Sequence, residues 1–132
     1  MTTPKTILVA VSDVFFYTKI RDVLKQADYS LERARSQDEV LGKARQAEPA
    51  AIVLNMNDEQ LDAFETLKRL KEDARARDIP TLVFANHEEV DTWRSARALG
   101  VTKIVSRNEF SARTRDLIEE AIKARAVAPE MQ

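Results

Sequence analysis

The segment AAIVLNMND, residues 50–58, decides how the rest of the chain is read. Residues 50–54 are all apolar, too few for a helix and rich in branched side chains, so they read as a strand. They do not alternate with polar residues. A strand of that kind needs cover on both faces, which a parallel sheet flanked by helices provides and a half-exposed antiparallel sheet does not. The run stops at Asn55 and passes into small polar residues, Asn57 and Asp58. Why an amide and not a carboxylate stands at the strand end is the question the segment poses.

Working outward, similar runs appear at TILVAV (6–11), TLVFA (81–85) and KIVS (103–106), with a weaker SLERA at 30–34. Between them apolar residues recur at helical spacing: Phe16, Ile20, Val23, Leu24 and Ala27; Val40, Leu41 and Ala44; Phe64, Leu67 and Leu70; Leu117, Ile118, Ala121 and Ile122. A further helix is predicted over 88–99. Ser36 with Glu39 predicts a capping box, and Gly100 a helix stop. Pro49 and Pro80 each stand before a strand, where a helix cannot continue. Five strands alternating with five helices predict an α/β fold, a doubly wound five-stranded parallel sheet of flavodoxin-like type with helices on both faces. One domain is expected over 1–132, with its core over about 5–124 and a fraying tail at 125–132.

Composition bounds the function. A chain of 132 residues can bury a core without disulfides or metal. A formal charge of −1 gives no electrostatic reason to expect nucleic acid or an anionic membrane as partner. There is no cysteine, and His87 is the lone histidine, so neither a thiolate nor a His-rich metal site can be built. Gly42 and Gly100 are the only glycines, which leaves no glycine-rich phosphate cradle and argues against a nucleotide or flavin binder. No cofactor and no metal are expected. The N-terminus lacks the apolar region of a signal peptide, and a cytoplasmic setting is the expectation.

Ligands of such sheets bind at the carboxyl ends of the strands, where strand order reverses. Those ends carry Val11, Ser12 and Asp13; Asn55 to Asp58; Ala85 to His87; and Ser106 with Arg107. Across LNMNDEQLDAFETLKRLKED (54–73), RDIPTLVFANH (77–87) and ALGVTKIVSRNEF (98–110), the chain resembles the receiver domains of bacterial two-component response regulators, over about residues 5–124. The resemblance implies a receiver (βα)5 fold and a phosphoacceptor Asp, an acid pair for Mg2+, a hydroxyl and a Lys. A hard cation needs oxygen ligands, and the new phosphate oxygens need donors.

Carried over residue by residue, the acceptor position is Asn55, and the acid pair falls on Val11 and Ser12 with Asp13 one place further on. The hydroxyl position is Ala85. The Lys position is Arg107, followed by Asn108 where the family has Pro. The switch aromatic is Ile104, and Asn57 completes the altered pocket. The resemblance thus implies a degenerate pseudo-receiver, not an enzyme, that acts by phosphorylation-independent protein–protein interaction. The alternatives are an active phosphoacceptor with a site shifted to Asp13 or Asp58, and a flavodoxin-like small-molecule binder.

Several side chains keep two readings. Asp13 is half of an acid pair or a helix N-cap. Arg107 forks onto Asp13 or Asp58 and fills the phosphate volume, or is a solvated loop residue. Trp93 is an exposed anchor or core. Phe15 and Tyr17 lie off the core stripe near the crevice mouth. Val90, Trp93, Arg97 and Ile104 form the candidate interaction face. A protein partner in a bacterial signalling pathway is expected there, and the chain is read as a monomer or a weak homodimer through the fourth helix, fifth strand and fifth helix.

Overall fold

In the computed structural model, which describes residues 5–126, the apolar runs lie side by side as strands β1 (Thr6–Ala10), β2 (Ser30–Arg33), β3 (Ala51–Asn55), β4 (Thr81–Ala85) and β5 (Lys103–Ser106). Their order is β2-β1-β3-β4-β5 and every pairing is parallel. All residues of β3 and β4 are buried, the two-sided cover that the unbroken apolar run of 50–54 requires. The chain winds outward from β1 to β2 and then returns past β1 to β3. The reversal therefore lies between β1 and β3, at whose carboxyl ends the crevice opens.

Six helices cover the sheet: α1 (Val14–Gln26), α2 (Gln37–Ala47), α3 (Ala63–Glu72), α4 (Val90–Ala98), α5 (Arg107–Ala112) and α6 (Thr114–Ala126). Alternation along each strand divides the core in two. Ile7, Val9, Val53 and Phe84 meet Phe16 and Ile20 of α1, Phe110 of α5 and Leu117 of α6. Leu8, Leu54 and Val83 meet Val40 of α2, Leu67 of α3 and Ala96 of α4. On the first face Phe84 and Phe110 stack with centroids 4.4 Å apart, and Phe16 lies 5.1 Å from Phe84. No described helix is long and apolar enough to cross a membrane.

Local signals set the helix ends. Ser36 accepts from Glu39 N at 3.1 Å, while the Glu39 carboxylate accepts from Arg35 N at 2.7 Å, one residue earlier than in a standard capping box. Gly100 has φ +83°, and the bonds Gly100 N to Arg97 O (3.0 Å) and Val101 N to Ala96 O (3.5 Å) close a Schellman motif on α4.

The fifth helix departs from expectation, because the chain breaks at Arg113 (φ −130°, ψ 35°) into α5 and α6. Buried Thr114 turns its hydroxyl back to the Phe110 carbonyl at 2.7 Å, a bond that competes with continued helix. Of the expected tail, residues 127–132 lie outside the described residues, and α6 continues to Ala126.

Candidate functional site

The carboxyl ends of β1, β3 and β5 enclose a polar cavity of about 280 Å³ lined by Ser12, Asp13, Asn55, Asn57, Asp58 and Arg107, among others. Asp58 dominates its wiring. One carboxylate oxygen accepts from Ser12 N at 2.8 Å. The other accepts from Ser12 Oγ at 2.7 Å, Gln60 N at 2.9 Å and Leu61 N at 3.0 Å. This carboxylate ties the β1–α1 loop to the β3–α3 loop, and its charge is met by donors instead of a cation.

Asn55 is only 3% exposed, and its Oδ1 accepts from Asn57 N at 2.9 Å, an Asx turn that shapes the loop beyond β3. Its neutral amide satisfies the turn without placing a second negative charge beside Asp58 in a buried position.

Asn57 reaches the other way. Its Oδ1 accepts from Asn86 N at 2.9 Å, and its Nδ2 donates to Glu89 at 2.8 Å. Glu89 also accepts from Asn86 Nδ2 and Thr92 Oγ1, each at 3.1 Å. Hydrogen bonds from Asn57, then Asn86 and Thr92, hold the Glu89 carboxyl below the usual carboxylate range, against the opposing effect of burial. Trp93 Nε1 donates to the Asn86 carbonyl at 3.0 Å.

The remaining positions do not supply a metal site. Val11 is buried in the core, Ser12 spends both donors on Asp58, and Asp13 caps α1 by accepting from Phe16 N at 3.1 Å. The cap reading of Asp13 is the one the geometry supports. Among the described residues no three His, Cys, Asp or Glu side chains gather in a way that could hold a metal ion. The donor set does not fit Mg2+, which needs an octahedron of oxygens with free lone pairs.

Of the two readings of Arg107, the fork onto a carboxylate is not made. Arg107 forks onto neither Asp13 nor Asp58, whose oxygens take the bonds just given. Its guanidinium lies 4.8 Å over the Phe16 ring. The aromatic platform at the first buried position of α1 thus holds the cation instead of a carboxylate.

Ala85 is fully buried, and Ile104 packs half-buried against the same cluster behind α4. Trp93 lies between the two readings: it is half-buried, packed on that cluster with part of its surface open, and Arg97 is stacked 5.5 Å over its ring. Val90 (61%) and Phe15 (69%) are exposed, whereas Tyr17 is half-buried under the Arg33 guanidinium at 4.0 Å. His87 is exposed beside a second cavity shared with Asn86, Arg107 and Asn108.

Sequence reading missed the parts played by Asn86 and Glu89. Their N-x-x-E spacing matches that of Ser36 and Glu39, but Glu89 stands at the N-cap of α4 and not inside the helix, so a capping-box signature does not describe them.

No protein-family model and no curated protein matches the sequence. Solved structures do match. NtrX from Brucella abortus superposes with a TM-score of 0.82 at 17% identity over 94% of this chain, which spans 28% of that protein's chain. A CheY-like response regulator receiver domain protein from Methanospirillum hungatei gives 0.81 at 13% identity, over 96% of this chain and 99% of that one. The chemotaxis response regulator CheY4 of Vibrio cholerae gives 0.74 at 20% identity, over 88% and 99%. The chain has the fold of response-regulator receiver domains.

Proposed function

We propose that this receiver-fold domain serves a bacterial signalling pathway by binding a protein partner without being phosphorylated, and that it is not an enzyme. One observation carries the reading. The acceptor position holds a buried amide, while Asp58 in the same cavity already accepts four hydrogen bonds, from Ser12, Gln60 and Leu61. A nucleophilic carboxylate needs a free lone pair aimed at phosphorus and a cation to offset the incoming charge. Asp58 has four donors on its two oxygens, three of them on one, and among the described residues no cationic side chain is bonded to it. Asp13 is exposed at the cavity rim but binds the α1 backbone, and Ser12 beside it is neutral, brings no charge to offset a cation, and donates its hydroxyl to Asp58.

Binding falls to the face of α4 and β5, where exposed Val90, half-buried Trp93 and Ile104 and the stacked Arg97 lie together. A half-buried Trp beside an Arg is the composition from which interface anchors are drawn. A monomer, or a weak homodimer through this face, in the cytoplasm is the state this reading expects. The test is incubation with a small phosphodonor and Mg2+, followed by intact mass. No phosphoryl adduct is expected. An adduct would overturn the reading, and its loss in Asp13→Ala or Asp58→Ala would identify a shifted acceptor.

A further inference from the structure

The β4–α4 loop, residues 86–89, has little apolar material to hold it. His87, Glu88 and Glu89 are exposed, Val90 at the start of α4 is 61% exposed, and Ala96 is the one fully buried residue of that helix. In the strand below it, buried Ala85 offers no hydroxyl to fix the loop. Yet the loop is tied. Asn57 takes the Asn86 N–H at 2.9 Å and gives its own amide hydrogen to Glu89 at 2.8 Å. On the same residue, the Asn86 carbonyl takes the Trp93 indole N–H at 3.0 Å. The anchor end is rigid, because Asn57 follows the Asn55 turn and precedes Asp58, which is bonded across to Ser12.

We propose that Asn57 is the positioning residue of the α4 face: its side-chain amide clamps the β4–α4 loop through Asn86 and Glu89 and thereby sets Trp93 in place with no ligand in the crevice. The clamp deepens the phosphorylation-independent reading given above, since it names what fixes the binding surface in the absence of a phosphoryl group. Donor and acceptor are both used, which makes the amide specific. A carboxylate at position 57 would keep the bond from Asn86 but face the Glu89 carboxylate as a like charge. An aliphatic side chain would lose both bonds.

Trp93 is the only tryptophan, so its emission and acrylamide quenching report the clamp directly. In Asn57→Asp, which loses the bond to Glu89, Trp93 should become more quenchable and the Asn86 amide should exchange about tenfold faster, the change expected for roughly one lost net hydrogen bond; in Asn57→Ala, which loses both, the change should be at least as large. In the double variant N57D/E89Q the amide and the acid trade places. Quenching and exchange should return to within about twofold of the unmodified protein, since the pair regains one donor between two acceptors.

Unchanged quenching and exchange in the single variants would overturn the proposal, as would a double variant that stays as loose as N57D. If N57A fails to fold, the near-isosteric N57D and its double partner still decide. A protein that took up phosphate in the mass assay would sink the functional reading while leaving this clamp standing, and a failed rescue would do the reverse.

Discussion

Replacing Asn55 by Asp changes one atom of a side chain that is 3% exposed, and the structure sets what that costs. The turn bond from Asn57 N survives, because an oxygen remains. The added charge does not find a partner. Asp13 and Asp58 line the same cavity, and its one cationic lining residue, Arg107, lies over Phe16. Burial and like charge both raise the new carboxyl's folded pKa above its unfolded value near 3.9. A rise of about one to two units corresponds to roughly 1.5–3 kcal/mol of lost stability at neutral pH.

The sign follows from proton counting. Because the native state holds this proton longer than the unfolded chain, the loss is absent below the unfolded pKa. It grows as pH rises through the window and levels off above the folded pKa. Urea melts of both proteins at about pH 4 and pH 7.5 measure it, with the unmodified protein's own pH dependence subtracted. Millimolar Mg2+ should not restore the loss, since a ligand stabilises only in proportion to its binding. Phosphodonor should leave no adduct, since no hydroxyl stands at Ala85 and no Lys at Arg107; each missing donor costs roughly two to three orders of magnitude. A variant as stable as the parent at pH 7.5, rescued by Mg2+, or phosphorylated would refute this account of the crevice.

Other perturbations separate the remaining contacts. Asp58→Ala leaves the amides of Ser12, Gln60 and Leu61 without their acceptor and should cost about 2–3 kcal/mol in a urea melt. A change under about 0.5 kcal/mol would mean that water replaces the carboxylate freely. Trp93→Ala should cost about 2–3 kcal/mol, less than the 3–5 of a fully buried aromatic because the ring is half-buried, even with its bond to Asn86 lost. Glu89 has a depressed folded pKa, so its contribution is complete above the usual carboxylate range and is lost as pH falls through the folded value. The stability difference between the parent and Glu89→Gln should therefore shrink on acidification, and a difference that stays constant would remove Glu89 from the network.

What the sequence made legible and what it hid divide along physical lines. The apolar run of 50–54 carries no alternation, and that absence alone forces cover on both faces and hence the parallel, doubly wound order. Ser36 and Gly100 act within a few residues of themselves, so their spacing suffices. Arg113 does not stand out in sequence, because the helix break there depends on Thr114 being buried and bonded to Phe110. The ties that wire the crevice span 46 positions from Ser12 to Asp58 and 32 from Asn57 to Glu89, and no local spacing records them. Arg107 was readable as a cation but not as one that would prefer a ring to a carboxylate, since that choice depends on Phe16 being close and Asp58 already engaged. The proposed loss of phosphoryl chemistry rests on residue type at Asn55, Val11 and Ala85, which supplies no nucleophile, metal ligand or hydroxyl at those positions whatever the geometry.

The pattern of donors and acceptors shows why these substitutions support one another. A crevice built for a divalent cation needs surplus acceptors, and an isolated carboxylate left there without the ion is costly. In this chain, two positions where the resemblance places acceptors carry other chemistry. Val11 is apolar, and Ser12 is a donor through both its N–H and its hydroxyl. Asp58 takes those donors together with two loop amides, and Asn55 closes its own turn with a neutral oxygen. On the proposed reading the site is balanced without an ion, and an acid placed at 11, 12 or 55 adds charge without adding a partner. Single restorations should lose stability and gain no chemistry, because restored chemistry requires several acceptors, the cation they hold and the donors at 85 and 107 together. Such non-additivity is expected wherever residues act as a unit. It also leaves the crevice free for the structural task that Asn57 performs, since a loop held by a fixed amide needs no occupant to keep its shape.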